Sequence, residues 1–250
     1  MKVVILAGGM GTRIREEQKP KPLVEIGGKP ILWHVLKIFS VQGFNDFIIC
    51  LGYKNCLIKK YFLNEFQNKK EFNVEISKRK IIISKKYSRF TIVLVDTGVE
   101  TNTGERLRKI RKLLNNERFI LSYADDLKNI NLRKLVNFHI KQKSIVTLTG
   151  MNYHERFGIL TVNQNKVKNM IEKPRSKNWI NGGYYVIEPE AFEYIEKNGS
   201  FEDKSLRSLI RVDKVAIFRY TGKYIPMDTL NDKMRLEKLW RKKMAYWKIW

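Results

Sequence analysis

The feature that most constrains the fold is an alternation that fills the first 150 residues. Lys2–Ala7 (KVVILA), Asp46–Tyr53 (DFIICLGY), Thr91–Val95, Arg118–Tyr123 (RFILSY) and Ser144–Thr149 are short apolar runs rich in β-branched side chains, and they read as buried strands. Between them lie helical stretches. Ile31–Gly43 has apolar residues at 31, 35, 38 and 39, Pro30 at its start and Gly43 at its end. Lys54–Asn68, Gly104–Asn115 and Leu132–Lys141 also read as helices. Strands separated by helices pair in parallel through crossovers, so the pattern predicts a three-layer α/β fold with a mixed, mostly parallel sheet. From 155 to 220 the strands crowd together, with turns expected at Asn163–Asn165 and Asn181–Gly183. This predicts a small antiparallel extension over the mouth of the sheet. A last helix is expected over Leu230–Lys243. No repeat and no Pro/Gly/Ser linker interrupts the chain, so residues 1–250 read as a single domain.

Composition narrows the function classes. The net charge of +24 fits either a polyanionic partner or a chain rich in lysine that must hold phosphates. The basic runs Lys59–Lys60, Lys69–Lys70, Lys78–Lys80 and Arg241–Lys243 are scattered, and none adjoins a zinc-finger, RRM or KH signature, which argues against nucleic acid as the partner. No apolar run approaches the roughly 20 residues of a membrane span, so no membrane association is expected and the chain reads as cytoplasmic. Cys50 and Cys56 read as structural thiols. His34 and His139 read as packing or surface residues. Trp240, Trp247 and Trp250, in a basic tail, read as packing within the fold or against a sister subunit.

The first strand runs into Leu6–Ala7–Gly8–Gly9–Met10–Gly11–Thr12–Arg13. Glycines let backbone N–H groups approach a ligand, and an arginine fork suits phosphate oxygens. A Walker loop would need Gly-Lys-Ser/Thr, which is absent. A dinucleotide fingerprint would need a third glycine and an opening helix, but Pro20 and Pro22 interrupt the stretch after Arg13. The loop must serve phosphates in another way.

Gly-Gly-Met-Gly-Thr-Arg with Lys19–Pro20–Lys21–Pro22–Leu23 after it resembles the signature of the sugar-phosphate nucleotidyltransferases. PKPLVEIGGKPILWH (20–34), DFIICLGYK (46–54), LVDTG (94–98), EKP (172–174), INGG (180–183) and PMDTLNDK (226–233) resemble, within them, the glucose-1-phosphate cytidylyltransferases. The likeness is colinear from residue 1 to the C-terminal tryptophan-rich end. It implies a Rossmann-like nucleotidyltransferase fold, with residues 1–150 binding nucleotide and 151–250 serving the acceptor and oligomerisation. It implies CTP as donor, a hexose 1-phosphate as acceptor, Mg²⁺ as cofactor, a homo-oligomer, and a place in deoxysugar or surface-polysaccharide synthesis. Arg13 would stabilise the β- and γ-phosphates, and Lys21 would act between the α-phosphate and the acceptor phosphate. Asp125, which ends RFILSY–Ala124, and Asp228 would hold the metal. Leu6, Ala7, Gly8, Gly9, Gly11 and Thr12, with Thr103 and Gly104 opposite, would form the nucleotide pocket. Glu172, Lys173, Asn181 and Gly182 would bind the acceptor. Main-chain groups can read cytosine, so UTP and dTTP stay open.

The resemblance breaks around Asp125. Relatives tend to carry glycine on both sides of the metal aspartate, and here Ala124 and Asp126 stand there. A second carboxylate beside the metal is expected to repel an acceptor phosphate unless a cation compensates. This opens a second acceptor class, another phosphorylated small molecule, including a non-sugar phosphate such as phosphoglutamine.

Overall fold

The alternating first half folds as its periodicity requires. The computed structural model describes residues 1–9, 19–155 and 157–250. In chain order its elements are β1 (Lys2–Ala7), the short pair β2 (Glu25–Ile26) and β3 (Lys29–Pro30), α1 (Ile31–Ser40), β4 (Asp46–Leu51), α2 (Asn55–Phe66), β5 (Phe72–Ile76), β6 (Lys80–Lys85), β7 (Thr91–Asp96), α3 (Thr103–Ile110), β8 (Phe119–Tyr123), α4 (Leu132–Gln142), β9 (Val146–His154), β10 (Ile159–Asn163), β11 (Lys166–Ile171), β12 (Arg175–Ile187), α5 (Leu206–Arg211), β13 (Val215–Tyr220) and α6 (Leu230–Arg241). A π-helical turn, Phe201–Ser205, leads into α5.

Among the described residues, nine strands form one sheet in the order β13-β9-β12-β8-β1-β4-β7-β6-β5. β8, β1, β4 and β7 are parallel neighbours at its centre. Only β6 and β12 run against the other seven strands. Side chains alternate across the sheet and build two cores. Val3, Ile5 and Ala7 of β1 face one, with Ile31, Val35 and Phe39 of α1, Ile58 of α2, Leu135 of α4 and Leu236 of α6. Val4 and Leu6 face the other, with Leu107 and Ile110 of α3 and Leu209 of α5. Each fully buried aliphatic or aromatic side chain of α1 contributes about 1.5–3 kcal/mol.

Two expectations need correction. Asn181–Gly183 does not turn the chain. It lies inside β12, where the register against β9 shifts between Asn181 and Tyr185 and Gly183 takes a φ of 78°. Pairing with β9 on one side and β8 on the other outweighs the local turn preference. Much of 155–220 therefore completes the main sheet rather than covering it. The antiparallel extension is the separate ladder β10–β11, which turns after Asn163 as expected. The region 69–90, left without elements by the sequence, supplies the edge strands β5 and β6. The tryptophan tail packs inward: Trp247 is fully buried, and its indole N–H points to His34 Nδ1 at 3.4 Å. Among the described residues, no helix is long and apolar enough to cross a membrane.

Candidate active site

The carboxyl ends of β1 and β8, with the segment that leads from β7 into α3, border a cavity of about 410 Å³. One wall is Leu6, Ala7, Gly8 and Gly9; Gly11, Thr12 and Arg13, which complete the expected loop, lie outside the described residues. A second wall is Thr101, Asn102, Thr103 and Arg106, and the third is Tyr123, Ala124 and Asp125. Lys21 and Pro22 enter from the loop before β2, while Ser200 and Glu202 enter from the turn before α5.

Lys21 sits where its ammonium touches both expected metal ligands. Its Nζ donates to Asp228 Oδ1 at 2.8 Å and makes an ion pair with Asp125 Oδ2. Burial works to lower the Lys21 pKa, but the two carboxylates outweigh it and hold it above the usual lysine value. Asp125 stands at the end of β8, as the sequence predicts. Asp228 is released from capping duty because the cap of α6 is complete without it: Thr229 Oγ1 accepts from Asp232 N, and Asp232 Oδ2 accepts from Thr229 N. The two carboxylates thus converge on one cationic centre, a donor set that fits a hard divalent cation once substrate phosphates and water complete the shell. Among the described residues no cluster of three or more His, Cys, Asp or Glu side chains offers a self-sufficient metal cage.

Arg106 is a site residue that sequence reasoning passed over. Its guanidinium donates to the carbonyls of Leu51, Gly98, Val99 and Gly8, and to Thr97 Oγ1 at 2.6 Å. It ties together the ends of β1, β4 and β7. Burial lowers its pKa, opposed by Cys50 and Asp96. A side chain on Gly8 or Gly52 would collide with it, which explains glycine at both places. One signal was available, since Arg106 lies on the buried face of α3 with Leu107 and Ile110. Gly104 packs instead: a Cβ there would stand 2.6 Å from the Gly199 carbonyl.

Asp126, expected to shape the acceptor side, does not line the cavity. Its carboxylate is buried and paired with Lys128, whose fully buried ammonium also lies over the rings of Tyr184 and Tyr224 at 4.8 and 4.4 Å. The partner for this carboxylate is therefore built in, and burial drives the Lys128 pKa well below the usual lysine value against the pull of Asp125. Gly183 approaches the same carboxylate closely.

The expected acceptor residues are not gathered at the cavity. Glu172 and Lys173 are paired with each other at 3.5 Å beyond β11 and are 62% and 63% exposed. Gly182 packs its backbone against Thr149. Asn181 donates to Tyr185 Oη and reaches the cavity only through Tyr123.

Comparison with known proteins decides the class. The nucleotidyl transferase family profile matches residues 2–215. The chain belongs to that family. It is an enzyme that transfers a nucleotidyl group. It is 40% identical over 256 aligned positions to glucose-1-phosphate cytidylyltransferase of Salmonella typhimurium, covering all of both chains. It is 30% identical to D-glycero-alpha-D-manno-heptose 1-phosphate guanylyltransferase of Aneurinibacillus thermoaerophilus, across 82% of this chain and 84% of that one. Among solved structures it resembles HddC from Yersinia pseudotuberculosis, with a TM-score of 0.68 and 22% identity over 96% of this chain and 99% of that one. That likeness carries the fold.

Proposed function

We propose that the chain joins CTP to glucose 1-phosphate, giving CDP-glucose and pyrophosphate. The full-length 40% identity to a glucose-1-phosphate cytidylyltransferase supports the substrate pair. The observation that carries the chemistry is the convergence of Lys21, Asp125 and Asp228 at one end of the cavity lined by Gly8 and Gly9.

The reaction is attack by an acceptor phosphate on the α-phosphorus of the triphosphate, with both partners negative. No general base is required, because the nucleophile is already ionised, and positioning with charge neutralisation suffices. Asp125 and Asp228 would hold Mg²⁺, which when bound offsets the triphosphate charge. Lys21 then acts on the oxygens where the new bond forms, and Arg13 steadies the departing pyrophosphate. Leu6, Ala7, Gly8 and Gly9 with Thr103 bound the nucleoside, and Arg106 keeps that wall rigid. Residues 1–150 carry most of the nucleotide side, while 151–250 bring the acceptor side and subunit contacts. The exposed apolar side chains Val162 and Met170 on β10 and β11 support a homo-oligomer. The setting is the cytoplasm, in synthesis of a nucleotide-activated surface sugar.

A second acceptor class has an observation in its favour. Glu172 and Lys173, the expected sugar ligands, stand exposed on the hairpin and do not line the cavity. A non-sugar phosphate such as phosphoglutamine would not need them. Pyrophosphate release, measured with four nucleoside triphosphates against hexose 1-phosphates and phosphorylated amino acids, tests both readings. Turnover with CTP and glucose 1-phosphate alone upholds the first, and preference for a non-sugar acceptor replaces it with the second. Loss of turnover in excess chelator, restored by Mg²⁺, is expected in either case.

A further inference from the structure

Among the described residues, four charged side chains line the cavity: Lys21, Asp125, Arg106 and Glu202. Lys21 and Asp125 neutralise each other, and Arg106 spends its donors on backbone carbonyls and Thr97. Glu202 is different. Neutral hydroxyls hold its carboxylate, with Oε2 accepting from Thr103 Oγ1 at 2.5 Å and Oε1 accepting from Tyr123 Oη.

The direction of these bonds is fixed by their surroundings. Phe201 N donates to Thr103 Oγ1 at 2.9 Å, so the Thr103 proton is directed to Glu202. On the other side Asn181 Nδ2 donates to Tyr185 Oη, Tyr185 is bonded to Tyr123, and Tyr123 donates to Glu202. Burial pushes the Tyr185 phenol up to about 12 and the Tyr123 phenol higher still, so both keep their protons at neutral pH. The whole chain of donors ends on the carboxylate. An ionised carboxylate has about four acceptor positions, and two are taken. The π-helical turn that carries Glu202 is a rare geometry, frequently found at functional sites.

A bare carboxylate would repel a triphosphate, so this end of the cavity must face the neutral end of the nucleotide. We propose that Glu202 is a specificity-determining residue that accepts a hydrogen bond from the nucleoside, through either a ribose hydroxyl or the exocyclic amine of the base. The inference rests on the nucleotidyltransferase reading above and goes beyond it by naming the side chain that reads the nucleoside. A nucleotide that lacks the donor leaves the carboxylate desolvated and unpaired, which is the costly kind of mismatch.

The test compares kcat/KM for CTP, 2′-deoxy-CTP, 3′-deoxy-CTP and UTP in the parent enzyme and in Glu202→Gln. The deoxy nucleotides report the ribose and UTP reports the amine. The parent enzyme should favour CTP over one of these analogues by about 10- to 100-fold, the scale of a hydrogen bond to a charged group. In Glu202→Gln the loss should fall on CTP and largely spare that analogue, so their ratio moves toward one. An equal loss on all four nucleotides, or none, would overturn the proposal by reducing Glu202 to a structural brace. Tyr123→Phe supplies a second arm should the glutamine variant fold poorly. It leaves the carboxylate in place and should keep the discrimination, whereas losing it there would assign the reading to the phenol and overturn the role of Glu202. A parent enzyme that turns over none of the four with any phosphorylated acceptor overturns the activity itself, a result distinct from uniform loss in the variant.

Discussion

On the proposed metal assignment, Lys21 occupies the point between Asp125 and Asp228 that the divalent cation would take, and this makes its two duties compete. An ammonium and a divalent cation cannot occupy the same point between the two carboxylates at once. Metal entry must therefore displace Lys21 toward the substrate. Lys21→Met removes the competing charge, so Mn²⁺ titration monitored by electron paramagnetic resonance should show roughly tenfold or greater tightening without nucleotide, in line with the strength of close charge pairs. The same variant should lose about 10²-fold in kcat. Unchanged or weaker Mn²⁺ binding would show that Lys21 and the metal do not share the site, and a change confined to KM would make Lys21 a binding residue. Asp126 bears a different kind of prediction. Because its carboxylate is the partner of the buried Lys128, Asp126→Asn should lower folding stability by at least about 1–3 kcal/mol, the scale of a buried polar group left unpaired, measured by denaturant titration. Asp126→Asn combined with Lys128→Met should recover much of that loss. A stable single variant with altered acceptor ranking would instead restore the acceptor-side role expected from the sequence.

The start of α6 shows how an element places a functional group. The capping box between Thr229 and Asp232 fixes the first turn, and Asp228 N also donates to Asp232 Oδ2 at 3.2 Å. Asp228 is thereby aimed at Lys21. Thr229→Ala should cost about 1 kcal/mol of stability, and it should weaken Mn²⁺ binding as well, because the Asp232 carboxylate that accepts from Asp228 N loses the Thr229 hydroxyl that holds it in place. A stability loss with metal binding intact would separate the cap from the site. Elements of this kind were readable in advance where local chemistry decides them. The Thr229–Asp232 pair, the Pro30 start of α1 and the buried runs of β1, β4, β7 and β8 carry their own signals, and so does Asp125 at a strand end. The sequence failed where distant pairing decides. Asn181–Gly183 has turn composition, yet β8 and β9 flank it and make it strand. Glu202 lies in a stretch without periodicity, and it meets Thr103 and Tyr123, 99 and 79 residues away, only through the fold. Lys128 could not be matched to Asp126 without knowing that both turn inward.

The folded chain as a whole encloses two histidines in their neutral form, and this gives its stability a definite pH dependence. His34 Nε2–H donates to the Ile26 carbonyl at 2.8 Å, while Nδ1 receives the Trp247 indole N–H, so the ring pins the C-terminal tail against α1. His139 lies between Thr147 Oγ1 at 2.8 Å and Glu188 Oε1 at 3.0 Å, and it joins α4 to β9. Burial lowers both pKa values, outweighing the Ile26 carbonyl at His34 and Glu188 at His139. A histidine whose folded pKa lies below its unfolded value binds more protons when unfolded. Its contribution is therefore complete above the unfolded pKa of about 6.5 and is lost as pH falls below it, at up to roughly 1.4 kcal/mol per pH unit for each ring. The free energy of unfolding, from urea titrations between pH 7.5 and 5.5, should be flat at the upper end and should fall over the last unit. His34→Gln keeps a donor for Ile26 and removes the titrating ring. It should lower stability at pH 7.5 yet flatten the slope below pH 6.5, with the remaining slope belonging to His139. A slope of unchanged size in His34→Gln would mean that the ring does not resist protonation, and that the tail is held by its tryptophans without it.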